Sequence, residues 1–289
     1  MNRTAINILL LVFVILTWGY SWVLMKIGLG YMEPFTLAVW RCGIAAAVLL
    51  IYVKSRPIKM PPPRRWPDFM AVGLFQTTLL FGLMLLGMKR ITAGKTSVLL
   101  YTMPVWTILL VHFYLREKIN TRQWAGVLLG SAGIMSILGW DIISKQNLYI
   151  FIGEILIIIA AISWAVSNIW VKTRMAGEDI YRLSALQLSF GTVGLLIIAI
   201  PTHGVFNVEW TLNSVYILLF TGLIASAVDF TIWFYLIKKL DINITTFSSM
   251  LVPVFGLFFD WLILGSRLDW GTVTGGALIL AGIYMVSRK

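Results

Sequence analysis

Ten apolar stretches of about 20 residues succeed one another along this chain, joined by connections too short to hold a soluble domain. They run roughly over 5–29, 34–53, 68–88, 92–114, 122–140, 148–172, 183–201, 214–237, 243–264 and 269–286. About 20 such residues are what a helix needs to cross the ~30 Å hydrocarbon core of a bilayer. The longest connection, KSRPIKMPPPRRWP at 54–67, is basic and proline-rich. Of the 289 residues, 59% are hydrophobic and 12% charged, whereas a soluble domain is typically about 25% charged. Water cannot solvate that surface, so the expected class is an all-α polytopic membrane protein. The first stretch lacks a small-residue cleavage site and is read as a retained helix, not a signal peptide.

The net charge is +11. In a soluble protein that would suggest nucleic acid; here it follows the membrane. With the N-terminus inside, 16 of the 23 Lys and Arg fall on inner loops and helix ends and six on outer ones, with Arg41 inside a helix. That bias places both termini in the cytoplasm of a multi-pass cell-membrane protein with no nucleic-acid partner. Cys42 is the single cysteine, and His112 and His203 lie far apart, so neither an intrachain disulfide nor a metal-ligand motif is present, and no cofactor is expected.

The chain also repeats itself. KRITAGKTSVLLYTMPVW (89–106) aligns with KKLDINITTFSSMLVPVF (238–255), and WGYSWVLMK (18–26) with WAVSNIWVK (164–172). GVLLGSAGI (126–134) and GGALILAGI (275–283) continue the register. The chain therefore reads as two copies of five helices each, 1–140 and 148–289. Five is odd, so the second copy enters the membrane from the opposite side, giving the inverted repeat common among secondary transporters. Pro104 and Pro253 occupy equivalent points of the fourth and ninth stretches. Each frees a backbone carbonyl, which a membrane tolerates where neighbours or a cavity satisfy it. A packing kink and a hinge both account for them.

These pieces together (TWGYSWVLMK and SWAVSNIWVK, the basic pairs ahead of stretches four and nine, YTMPVW and LVPVF, and the ends GSAGI and LAGI) resemble the drug/metabolite transporter superfamily of EamA type, with two EamA domains spanning nearly the whole chain. The resemblance implies export or exchange of amino acids or other small metabolites through a central cavity lined by helices 1, 3, 4, 6, 8 and 9. The Leu-Gly-Glu frequent in that family reads LRE at 115–117 and LGS at 264–266, so Glu117 is given no role shared by both halves.

Asp229 is the most informative residue. It lies about 12 Å from the inner end of its helix at 1.5 Å per residue, near the midplane. An acid there costs several kcal/mol unless it is paired, protonated or wetted by a cavity. Its repeat equivalent is Leu80, so the acid occurs once; a substrate or proton site and a buried structural pair both fit. Trp18 and Trp22 share a helix face, as do their equivalents Trp164 and Asn168; they read as cavity walls or as core. Gln76, Tyr101, Trp233 and Ser248 add polar or aromatic groups to the same set of helices. Arg41, equivalent to Gln187, is close enough to the outer end of its helix to snorkel. Glu154 reads as a structural acid near a helix start, and Lys26 and Lys172 as anchors. Gly126-xxx-Gly130 and Gly271-xxx-Gly275 allow close helix packing, within the chain or across a homodimer.

Rival classes lack their signatures. There is no GxxxxGK[ST] for direct ATP drive, no HExxH or GxSxG for a membrane enzyme, and no filter motif for a channel or extramembrane domain for a receptor. The expected function is a secondary transporter whose partners are a small molecule and the bilayer.

Overall fold

The computed structural model describes residues 3–116, 118, 120–145, 147–175, 177–202, 204–239 and 251–287. Helices make up the fold: α1 Arg3–Gly28, α2 Pro34–Lys54, α3 Trp66–Gly73, α4 Leu80–Met88, α5 Ala93–Leu100, α6 Met103–Leu115, α7 Thr121–Lys145, α8 Leu148–Arg174, α9 Ile180–Thr202, α10 Leu212–Leu219, α11 Asp229–Lys239, α12 Leu251–Leu264 and α13 Trp270–Ser287. Among the described residues no strand forms; Met32 and Val208 make an isolated bridge.

Among the described residues seven helical spans are long and apolar enough to cross a bilayer: Ala5–Gly28, Pro34–Lys54, Pro63–Met88, Ala93–Tyr114, Leu148–Arg174, Ile180–Thr202 and Leu212–Trp233. Shorter apolar helices cover Leu251–Leu264 and Trp270–Met285. Their ends follow local chemistry. Pro34 opens α2, where a missing N–H costs nothing. Asn147 caps α8 through Tyr149 N–H, and Thr211 with Ser214 forms a capping box on α10. Gly265, at φ +64°, ends α12 in the left-handed conformation that glycine adopts without a Cβ penalty.

The core is aliphatic, with Val14, Met25, Leu37, Met84, Leu99 and Ile157 all at most 1% exposed. The outside is apolar too: Leu9, Val12, Ile51, Leu128, Ile197 and Ile200 are exposed, as a lipid-facing surface requires.

Two spans are not uniform α-helix. Leu74–Leu79, between α3 and α4, and Phe220–Val228, between α10 and α11, are wide i→i+5 turns. The two stretches are repeat equivalents, each ending immediately before Leu80 or Asp229. Each leaves a carbonyl that a side chain from another helix takes up: Ser163 Oγ donates to Phe75 O at 2.7 Å, and Trp18 Nε1 to Ala225 O at 2.9 Å.

Helix α7 packs along α13, and glycines carry that seam. A Cβ on Gly133 would lie 2.6 Å from Gly275 O and 2.8 Å from Ile279 Cγ1; one on Gly282 would lie 2.6 Å from Gly126 O. The glycines singled out in the sequence pack within the chain but not on one another: Gly126 and Gly130 face Gly282, Gly275 faces Gly133, and Gly271 faces Trp140. Gly133→Val is expected to cost about 1–3 kcal/mol by overpacking, read as a lowered melting temperature in detergent. An unchanged melting temperature would mean that the seam has slack.

Candidate functional site

A cavity of about 360 Å³ lies at the centre of the bundle. One wall is aromatic. Trp18 sits 5.4 Å from Trp233 and 5.6 Å from Phe230, ring centroid to centroid, and Tyr101 meets Trp164 edge-on at 6.4 Å. Such offset contacts fix the rings without filling the space between them. Trp22, Gln76 and Asn168 also line the cavity. Gln76 Oε1 accepts from Ser167 Oγ at 2.8 Å, and Asn168 Nδ2 donates to Met103 Sδ at 3.2 Å. Seven of the residues singled out in the sequence, Trp18, Trp22, Gln76, Tyr101, Trp164, Asn168 and Trp233, therefore surround one space.

Asp229 stands behind the wall. It is fully buried, and its Oδ2 accepts from Thr17 Oγ1 of α1 at 2.7 Å. Its Oδ1 is buried without a hydrogen-bond partner. Pro104 lines the cavity at the second position of α6, immediately after the helix breaks at Tyr101–Thr102. The break is local: Thr102 N–H bonds Leu99 O, and Trp106 Nε1 bonds Thr102 Oγ1 at 3.0 Å. The proline therefore starts a helix instead of kinking one. Pro253 is buried near the start of α12, away from the cavity. Ser248 and Glu117 lie outside the described residues.

Arg41 corrects the sequence reading. It does not snorkel; it is 4% exposed and lines the cavity. Its Nε donates to Ser226 Oγ at 3.1 Å, Ser226 Oγ in turn donates to Thr221 O at 2.7 Å across the wide turn, and the guanidinium lies 4.6 Å over Phe81. Gln187, its repeat equivalent, is 6% exposed and lines the same space. Helices α2 and α9 thus join the helices expected around the cavity.

A second cavity, about 450 Å³, lies where α1 ends and α5 begins, among Lys26, Arg90, Lys95, Asp260, Arg267 and Asp269. Lys95 is buried between Glu154 and Asp269, each at 3.4 Å. Asp260 Oδ2 accepts from Gly94 N–H at 2.8 Å and Oδ1 from Ser266 Oγ at 2.9 Å. Lys26 Nζ donates to the carbonyls of Met88 and Ile91. Glu154 is therefore half of a buried ion pair, two turns into its helix, not a partner of the helix dipole.

The EamA-like transporter family matches residues 5–139 and again 151–288. The chain belongs to that family. It is 31% identical to an uncharacterized transporter of Bacillus subtilis, YoaV, over 94% of this chain and 93% of that one. It is 29% identical to a protein of Escherichia coli named a probable amino-acid metabolite efflux pump, over 94% of this chain and 91% of the other. A crystal structure superposes with TM-score 0.65 over 98% of this chain and 96% of that chain, at 18% identity, and carries the fold alone. This protein is accordingly a multi-pass membrane transporter.

Several of the transporter's polar cavity groups escaped the sequence reading. Arg41 and Gln187 are a matched pair of polar residues inside apolar runs, and that match is the signal the sequence carries for them. Thr77, fully buried and lining the cavity, and Ser226 are a second matched pair, in the two wide turns.

Proposed function

We propose that this transporter is a secondary carrier of the plasma membrane that exports or exchanges amino acids or related small metabolites by alternating access around the central cavity. The reading has ten spans in two inverted five-helix halves, with both termini in the cytoplasm. The observation that carries it is the lining of the cavity. Trp18 with Trp164, Trp22 with Asn168, and Arg41 with Gln187 are repeat equivalents, and all six residues face one space. A site shared by two inverted halves can be presented to either side of the membrane as the halves rock. The metabolite class rests on the name of the Escherichia coli relative. The test is counterflow: purified protein in liposomes preloaded with unlabelled amino acids or organic acids should take up the labelled compound, and protein-free liposomes should not. Absence of counterflow across a broad metabolite screen would overturn the reading. A reporter fused after Lys289 should be active only in the cytoplasm.

The prolines give a second check. Alanine at both Pro104 and Pro253 is expected to slow exchange several-fold while leaving substrate affinity within about twofold, because Pro104 follows the break at Tyr101–Thr102 and Pro253 is its repeat equivalent. Normal exchange by the double variant would make them packing features.

A further inference from the structure

Among the described residues, the lining of the central cavity has one cation, Arg41, and no acid, neither Asp nor Glu. Asp229 lies outside the lining and is bonded to Thr17. Arg41 is only partly satisfied: Nε binds Ser226 and Nη1 the sulfur of Met25, while Nη2 has no hydrogen-bond partner among the described residues. Gln187 is more than nine-tenths buried, lines the same cavity, and its amide has no partner among the described residues. Both groups line the cavity, so a ligand that brings acceptors adds hydrogen bonds there, the one to Arg41 charge-assisted. A guanidinium with a free edge is matched to a carboxylate. Around it stand the flat faces of Trp18, Trp164 and Trp233.

We propose that this cavity is built for a monocarboxylate with a flat apolar body and no ammonium group, its carboxylate held by Arg41 and Gln187. The proposal rests on the transporter reading and narrows its substrate class. Aromatic walls alone would equally suit a cation. The fixed charge of Arg41 opposes one at close range in a low dielectric, and no lining carboxylate offsets the ammonium of an amino acid.

The test is a head-group series on one body: hydrocinnamate, phenylalanine, phenethylamine and phenylpropanol, titrated onto the detergent-purified full chain by calorimetry. Hydrocinnamate is expected to bind tenfold or more tighter than each of the other three. Arg41→Gln should remove that preference, bringing hydrocinnamate to the level of phenylpropanol, and Gln187→Ala should weaken it several-fold. Phenylalanine or phenethylamine binding as well as hydrocinnamate, or none of the four binding, overturns the assignment. The series in the parent protein decides the matter even if Arg41→Gln fails to fold, and Arg41→Lys, which keeps the charge but not the planar fork, should fall between. Counterflow with the same four compounds separates this proposal from the broader one. Hydrocinnamate bound but not carried would sink the transport reading and leave the site standing. Exchange of the amine or amino acid without hydrocinnamate would do the reverse.

Discussion

Asp229→Asn is expected to lower exchange in liposomes at least tenfold while leaving the melting temperature in detergent unchanged or raised. The carboxylate is fully buried, with one oxygen held by Thr17 and the other without a partner. Asn keeps the volume and the acceptor for Thr17, and removes a charge that is expensive at this depth. Arg41 reaches the same helix one turn earlier, at Ser226. The two charges meet different groups, so losing Asp229 does not strip Arg41 of a bonded partner, and relief of the buried carboxylate dominates stability. Function is another matter. Asn can neither balance the guanidinium beside the cavity nor take up and release a proton. A fall in melting temperature with normal exchange would make Asp229 a structural tie between α1 and α11.

Lys95→Met is expected to have the opposite signature, a large loss of stability. Lys95 joins Glu154 and Asp269; the side chains of Lys95 and Glu154 are 4% and 0% exposed, and that of Asp269, on the side of the second cavity, 22%. Replacing a buried pair by apolar residues is often neutral, but removing one partner typically costs about 3–5 kcal/mol because the other charge stays buried. The single variant should therefore fold poorly or melt far lower. The double variant Lys95→Met with Glu154→Leu should recover much of the loss. If the double variant is no better than the single one, Lys95 matters chiefly through Asp269, and the pair with Glu154 is incidental.

The helical stretches were legible because a bilayer demands long apolar runs, and composition reports these directly. The described helices fall within or around the stretches read from the sequence, with shifts of a few residues at their ends. The aromatic side of the cavity was legible as well, since Trp18 and Trp164 sit well inside apolar segments and match across the repeat. The fate of charges near helix ends was not. Arg41 has the spacing of a snorkelling residue, and what buries it, Ser226 and Phe81, comes from other spans. Lys95 has the spacing of a loop cation, and its partners lie far along the chain at Glu154 and Asp269. Whether such a group faces water or a partner is decided by tertiary packing, which local spacing does not encode. The wide turns and the break at Tyr101–Thr102 are shifts of backbone hydrogen bonds with no signature in composition.

Those wide turns alter the rotational phase of two spans. An α-helix advances about 100° per residue, and a wide turn inserts an extra residue, so everything after it is rotated relative to what came before. Phe81 and Met84 follow the first turn, Phe230 and Trp233 the second, and all four line the cavity. An accessibility profile recorded along either span will therefore fall into two phases, offset at Leu74–Leu79 and at Phe220–Val228.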